Sequence, residues 1–183
     1  MTTGVSLVPV GSWILRKENL IGELVSWRSR YSRSFFAEVP ATSSSMRSYL
    51  RKYAIGDTSR ILFLILQDGT LSGHIGLANI SRASAELDNV VRGRQTYPGM
   101  MHEVVEFLKT WAREELGLSV IYLRVKADNK AAIALYCRSG FQRVDGKAPN
   151  IPGNIDRFSL EASGGFLMSV GVNPPGKPGK PGC

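Results

Sequence analysis

"VVRGRQTYPGMMHEVVEFLKTW", residues 90–111, passes from β-branched residues through a loop with two glycines and one proline into a run with helical spacing. Met101, Val104, Val105, Leu108, Trp111 and Ala112 fall on one face of that run, which Gly117 closes, so an amphipathic helix is expected. A helix that opens after Gly99 presents unpaired backbone N–H groups and the positive end of its dipole, and glycine lets a ligand approach the main chain. Arg92 and Arg94 beside it add charge suited to a phosphate or diphosphate. The Gly-Lys-Ser/Thr ending of a Walker loop is missing, and so is the spacing of a dinucleotide fingerprint.

Upstream of this junction, "VSLVPV" reads as a short strand, and residues 20–36 as an amphipathic helix on Leu20, Leu24, Trp27, Tyr31 and Phe35. "PATSSSM" offers a turn and a cap for a second helix, "MRSYLRKYAI", ending near Gly56. "RILFLILQ" and "LSGHIGLANI", joined by "DGT", form a hairpin, and "ELDNVVR" follows as a third strand of an antiparallel meander. Downstream, "VIYLRVKA" is a strand, "DNKAAIALYCRSG" a helix capped by Asp128 or Asn129 and stopped by Gly140, and "FQRV" another strand. "APNIPGN" reads as loop, "DRFSLEA" as a strand or part of a long excursion, and "FLMSVGV" as the final strand. One domain over residues 1–172 is expected, with residues 173–183, rich in Pro, Gly and Lys, as a flexible tail.

The 23 Lys and Arg against 15 Asp and Glu leave a net charge of +8, which favours acidic ligands such as phosphates and nucleotides. Seven of the basic residues lie between positions 28 and 60: Arg28, Arg30, Arg33, Arg47, Arg51, Lys52 and Arg60. No stretch approaches the roughly 18 apolar residues of a membrane helix, and no secretory leader opens the chain, so a soluble cytoplasmic protein is expected. Two cysteines, Cys137 and Cys183, and two distant histidines, His74 and His102, offer neither a disulfide framework nor a zinc site.

Asn129, Ala132, Leu135, Tyr136, Gly140 and Phe141 follow the form N-x-x-A-x-x-L-Y-x-x-x-G-F. Here the chain resembles the GNAT superfamily, the N-acetyltransferases that use acyl-coenzyme A. The resemblance is good over residues 60–145, and the order of elements extends it over residues 5–172. "RQTYPG" places Arg94 and Gly99 at the two ends of the family's Q/R-x-x-G-x-G/A loop, while Tyr97 replaces its middle glycine. A bulky side chain at Tyr97 demands negative φ, and Pro98 holds it extended, so the loop path is expected to differ from that of relatives.

The resemblance implies an α/β fold with a mixed central sheet flanked by helices and splayed between "ELDNVVR" and "VIYLRVKA". It implies acetyl-CoA as co-substrate and no metal. Coenzyme contacts are expected at Asn89, Val90 and Val91 for the pantetheine arm, and at Arg92, Arg94, Gln95, Thr96, Tyr97, Gly99 and Met100 for the diphosphate. Asn129 is expected to act as helix cap, coenzyme contact or both. Arg138 is a further phosphate contact, although about 200° of helical turn separates it from Tyr136.

For the chemistry, Tyr136 matches the position that donates a proton to the departing sulfur. The amine's proton falls to Asp88 first, Glu86 second and His74 third; residues 86 and 88 share a strand face by two-residue alternation. The expected acceptor is a small primary amine, in particular an amino sugar that is phosphorylated or nucleotide-linked. A protein or peptide N-terminus is the alternative, and a non-catalytic coenzyme-binding or nucleic-acid-associated protein of this fold is another. No membrane or nucleic-acid partner is expected, and the oligomer is a monomer or homodimer.

Overall fold

A computed structural model describes residues 4–145, 151 and 157–172. The readings that fall on residues 148–150, on 152–154 and on the tail lie outside the described residues. Strands β1 (Val5–Pro9), β2 (Ile61–Gln67), β3 (Thr70–Ala78), β4 (Ser84–Arg92), β5 (Val120–Lys126), β6 (Gln142–Arg143) and β7 (Gly165–Gly171) form a mixed sheet of order β1-β2-β3-β4-β5-β7-β6. Helices α1 (Glu18–Arg30), α2 (Ser43–Tyr49), α3 (Met100–Leu116), α4 (Lys130–Arg138) and α5 (Arg157–Ala162) accompany it. The chain divides into two compact units. One takes residues up to Ala78 with Asp88–Pro98, and the other takes Asn79–Leu87 with residues from Gly99 onward, so β4 contributes to both.

In the first unit, β1, β2 and β3 run antiparallel. The β2–β3 turn places Asp68 and Gly69 at φ 49° and 77°, the left-handed pair that a two-residue hairpin of Asp-Gly adopts. Helix α1 has no side-chain cap at its start. Burying Ile21, Leu24 and Trp27 at roughly 2 kcal/mol each outweighs the roughly 1 kcal/mol that a cap supplies. These three pack with Ile14, Leu50, Ala54, Leu62, Leu64, Leu71 and Val91.

The expected helix over residues 20–36 stops at Arg30, and a short 3-10 turn, Ser32–Ser34, follows, so Tyr31 and Phe35 lie beyond its end. Serines at 26, 29, 32 and 34 compete for backbone hydrogen bonds and weaken that end. Helix α2 starts from Thr42, whose hydroxyl accepts the Ser45 N–H at 3.2 Å, and continues as a π-helical turn over Leu50–Ile55.

In the second unit, β4 pairs parallel with β5 through Ser84–Val120, Ala85–Ile121 and Glu86–Tyr122, with α3 as the crossover that a parallel pair requires. The described ladder stops there, whereas β5 pairs with β7 along its whole length, from Val120–Gly171 to Lys126–Gly165. Helix α3 buries Met100, Val104, Val105, Leu108 and Ala112, and ends at Gly117, whose φ of 65° suits glycine. Met101, placed on the apolar face by spacing, is only half-buried; Met100 takes the core position. "DRFSLEA" is not a strand over its described residues: Arg157–Ala162 is helix α5, consistent with the helix-forming Leu, Glu and Ala that end it.

Candidate functional site

The first unit holds a chain of polar contacts centred on Asn89. Its φ of 52° is left-handed, a conformation asparagine tolerates better than most residues. Asp88 Oδ1 accepts the Asn89 backbone N–H at 2.8 Å, and Asp88 Oδ2 accepts Asn89 Nδ2 at 2.7 Å and Arg60 Nη1 at 3.0 Å. Arg60 Nε donates to Asp57 at 3.1 Å, and the Ser59 hydroxyl and amide hold the Asp57 carboxyl below its usual range. Asn89 Nδ2 also donates to the Tyr49 hydroxyl at 2.8 Å.

His74 completes this group. Its Nδ1 lies 2.7 Å from the Asn89 carbonyl, which only accepts, so Nδ1 carries the proton. The ring is buried and stacks on Trp27, with centroids 6.1 Å apart. Burial lowers its pKa to about 4, against the Asn89 hydrogen bond and the Asp88 charge, which raise it. His74 is therefore neutral at physiological pH, with Nε2 unprotonated. Arg28 stacks over Phe35 at 3.7 Å and donates to the Ala37 carbonyl at 2.5 Å.

Glu86, in the second unit, is engaged differently. Its carboxylate accepts Asn79 Nδ2 at 2.7 Å and Arg124 Nε at 2.6 Å. Burial, reinforced by this carboxylate, pushes the Tyr122 phenol up to about 12. Asp88 and Glu86, expected as a pair facing one cleft or solvent together, thus each have a separate arginine.

The loop before α3 mixes packing with exposure. A Cβ on Gly93 would come within 2.1 Å of the Trp27 ring, so this glycine serves close packing in the first unit. Arg92 is exposed and its carbonyl accepts the Tyr31 hydroxyl at 2.9 Å. Arg94, expected as a diphosphate ligand, pairs with Glu23 in the structure, a partner 71 residues away that loop spacing cannot reveal. Gln95 is exposed, and Thr96 and Tyr97 are half-buried. Among these residues positive φ falls on Gly99 and not on Tyr97, as the bulk of Tyr97 requires.

Helix α3 begins from Gly99, at φ 94° and with no side-chain cap. Nothing lies within 4 Å of where a Cβ would sit. Met100, expected as a ligand contact, has a fully buried side chain and faces the core; only its backbone N–H belongs to the helix opening. Helix α4 starts otherwise: Asn129 Oδ1 accepts the Ala132 N–H at 3.2 Å, a side-chain cap. Tyr136 is buried with its ring 5.8 Å from Phe141, and Arg138 is exposed. His102, which its place early in α3 leads one to expect at the surface, is instead half-buried, with Nδ1 2.9 Å from the Ser139 hydroxyl, and Lys109 Nζ donates to the Ser139 carbonyl at 2.8 Å, so α3 holds the end of α4. Tyr49, Arg60 and Trp27 were missed as site residues: in sequence they read as helix or loop positions far from Asn89.

Among the described residues no helix is long and apolar enough to cross a membrane, and no group of three or more His, Cys, Asp or Glu is arranged to hold a metal. The fold is similar to Campylobacter jejuni N-acetyltransferase PseH in complex with acetyl coenzyme A, at TM-score 0.63 and 18% identity, covering 92% of this chain and 99% of that one. It is also similar to Vibrio cholerae spermidine N-acetyltransferase in complex with CoA and spermine, at TM-score 0.66 and 18% identity, covering 92% and 95%. A curated relative, the N-alpha-acetyltransferase RimI of Mycobacterium tuberculosis (strain ATCC 25618 / H37Rv), is 32% identical over 84 residues, 42% of this chain and 48% of the relative. The chain thus matches about half the length of that relative. The model of the acetyltransferase (GNAT) domain matches residues 15–142, most of the chain: the chain belongs to the GNAT acetyltransferase family.

Proposed function

We propose that the protein transfers an acetyl group from acetyl-CoA to the primary amine of a small acceptor, and that the acceptor is an amino sugar bearing a phosphate or nucleotide. The observation that carries the transfer reading is the start of α3. Gly99 supplies no capping side chain, so the first-turn N–H groups are open to an anion such as a diphosphate. Arg138, in the same unit as α3, is exposed and offers positive charge to solvent phosphates. Val90 and Val91 are the remaining candidates for strand-like contacts to pantetheine amides, because the Asn89 N–H and carbonyl are both engaged already.

Acetyl transfer requires that the amine nitrogen lose a proton and the departing sulfur gain one. Tyr136 is the proposed donor to sulfur. For the amine, a proton reaching Asp88 or Glu86 displaces an existing hydrogen bond, whereas Nε2 of His74 has none to displace among the described residues. Burial nevertheless makes His74 a weak base, so Asp88 stays the first candidate for proton acceptor and the neutral Nε2 of His74 stands behind it. An anionic acceptor is supported by the same pairing: Asp88 and Glu86 are each matched by an arginine, so a polycation finds no unmatched carboxylate at either.

The likeness to RimI favours a second reading, acetylation of a protein N-terminus. Thermal melting with and without acetyl-CoA tests the coenzyme reading, with a rise of several degrees expected at saturation. Thiol release across amino sugars, their phosphates and short peptides then separates the acceptors. An unchanged melting temperature at saturating acetyl-CoA would count decisively against the whole reading.

A further inference from the structure

The geometry points to Tyr49 and Asn89 as a paired donor and acceptor that recognises a hydroxyl group on the acceptor, making the substrates amino alcohols in preference to plain alkyl amines. This rests on the acetyl-transfer reading above.

Asp88 Oδ2 accepts a hydrogen bond from one terminal atom of the Asn89 side chain, and a carboxylate only accepts, so that atom is Nδ2. The same nitrogen donates to the Tyr49 hydroxyl. Both amide hydrogens are thereby committed, and Asn89 Oδ1 has no donor among the described residues. Tyr49 is complementary. Its oxygen receives the Asn89 N–H, so its own proton is directed elsewhere, and no described residue accepts it. Burial and the Asp88 charge keep this phenol protonated, well above its ordinary value.

An uncommitted O–H donor and an uncommitted C=O acceptor thus sit on two groups in direct contact. A hydroxyl both donates and accepts, so it matches the pair, whereas a methylene leaves both unsatisfied. The backbone marks the same two residues. Asn89 occupies a left-handed conformation inside a strand, and Tyr49 is the residue at which α2 gives way to the π-helical turn, both features that concentrate at functional sites.

The test measures thiol release by the full chain with acetyl-CoA and two amine pairs: ethanolamine against propylamine, and 2-aminocyclohexanol against cyclohexylamine. Rates are expressed per unprotonated amine. Wild type is expected to favour the hydroxylated member of each pair by about tenfold in kcat/KM. Tyr49→Phe should bring that ratio close to one. So should Asn89→Gly, which keeps the left-handed backbone and deletes the amide; melting curves establish that each variant is folded. A wild-type ratio near one overturns the inference while leaving acetyl transfer standing. So does a ratio that survives both substitutions, or a rise in the KM for acetyl-CoA in place of any change in the ratio, which would assign the pair to a pantetheine amide. Absence of thiol release with every amine, including amino sugars and peptides, removes the transfer reading and this inference with it.

Discussion

In the first unit the polar side chains around Asn89 hold one another, from Arg60 through Asp88 to Tyr49 and His74, and leave only Asn89 Oδ1, the Tyr49 proton and His74 Nε2 uncommitted among the described residues; in the second, α3 starts with no capping side chain. One arrangement is largely closed and the other open. A closed network affects stability when a member is removed or charged, because the partner left behind is buried without a bond. An open helix start affects ligand affinity, because its N–H groups are already exposed and gain a partner only on binding. Helix α4 provides the closed counterpart to α3 within the same unit, its first turn satisfied by Asn129.

Acid should break the closed network, with the largest expected effect. His74 has a pKa near 4 in the fold and about 6.5 when unfolded, so the unfolded chain takes a proton that the folded one rejects. Stability is then fully present above pH 6.5 and falls by roughly 3 kcal/mol as pH drops towards 4. Urea denaturation across that range measures it. His74→Asn keeps an N–H for the Asn89 carbonyl without a titrating ring, and should flatten the slope; an unchanged slope would show that other groups carry it.

The open start should respond to being closed. Gly99→Asp puts a negative charge where a diphosphate is proposed to bind, at a φ of 94° that strains any side chain, and should weaken acetyl-CoA binding by about thirtyfold, or about 2 kcal/mol, in a variant that melting curves show to be folded. Calorimetric titration is the direct measurement; unaltered affinity would place the anion elsewhere. Tyr136→Phe should lower kcat about tenfold with acetyl-CoA affinity little changed, and equal losses of both would remove its role as acid. The smallest effect belongs to opening the closed start. Asn129→Ala should cost about 1 kcal/mol of stability through loss of the cap. A large loss of coenzyme affinity in that variant would show that Asn129 also contacts the ligand.

Local patterns were legible where a residue's chemistry acts on its near neighbours. Asn129 caps the helix that starts one residue later, Gly117 closes α3, and Asp68-Gly69 turns the hairpin, because each depends on backbone geometry within a few residues. The α/β class and the mixed sheet followed from the family resemblance. Less legible were features with competing local signals. The serines that end α1 early sit on an otherwise continuous apolar spacing, and Met100 and Met101 are indistinguishable by period until the helix is packed.

What the sequence by itself determined was the order of strands and helices up to β6, the caps and turns at Asp68-Gly69, Gly117 and Asn129, and family membership. The tertiary structure alone decided which charges are used up. Arg94 and Glu23 are 71 residues apart, Arg60 and Asp88 are 28 apart, and Asn89 meets Tyr49 across 40 residues. Periodicity carries no information about such pairings, because a side-chain bond between distant segments is set by how the chain packs. That packing distinguishes Asp88, held by Arg60, from Glu86, held by Arg124, although only one residue lies between them on β4.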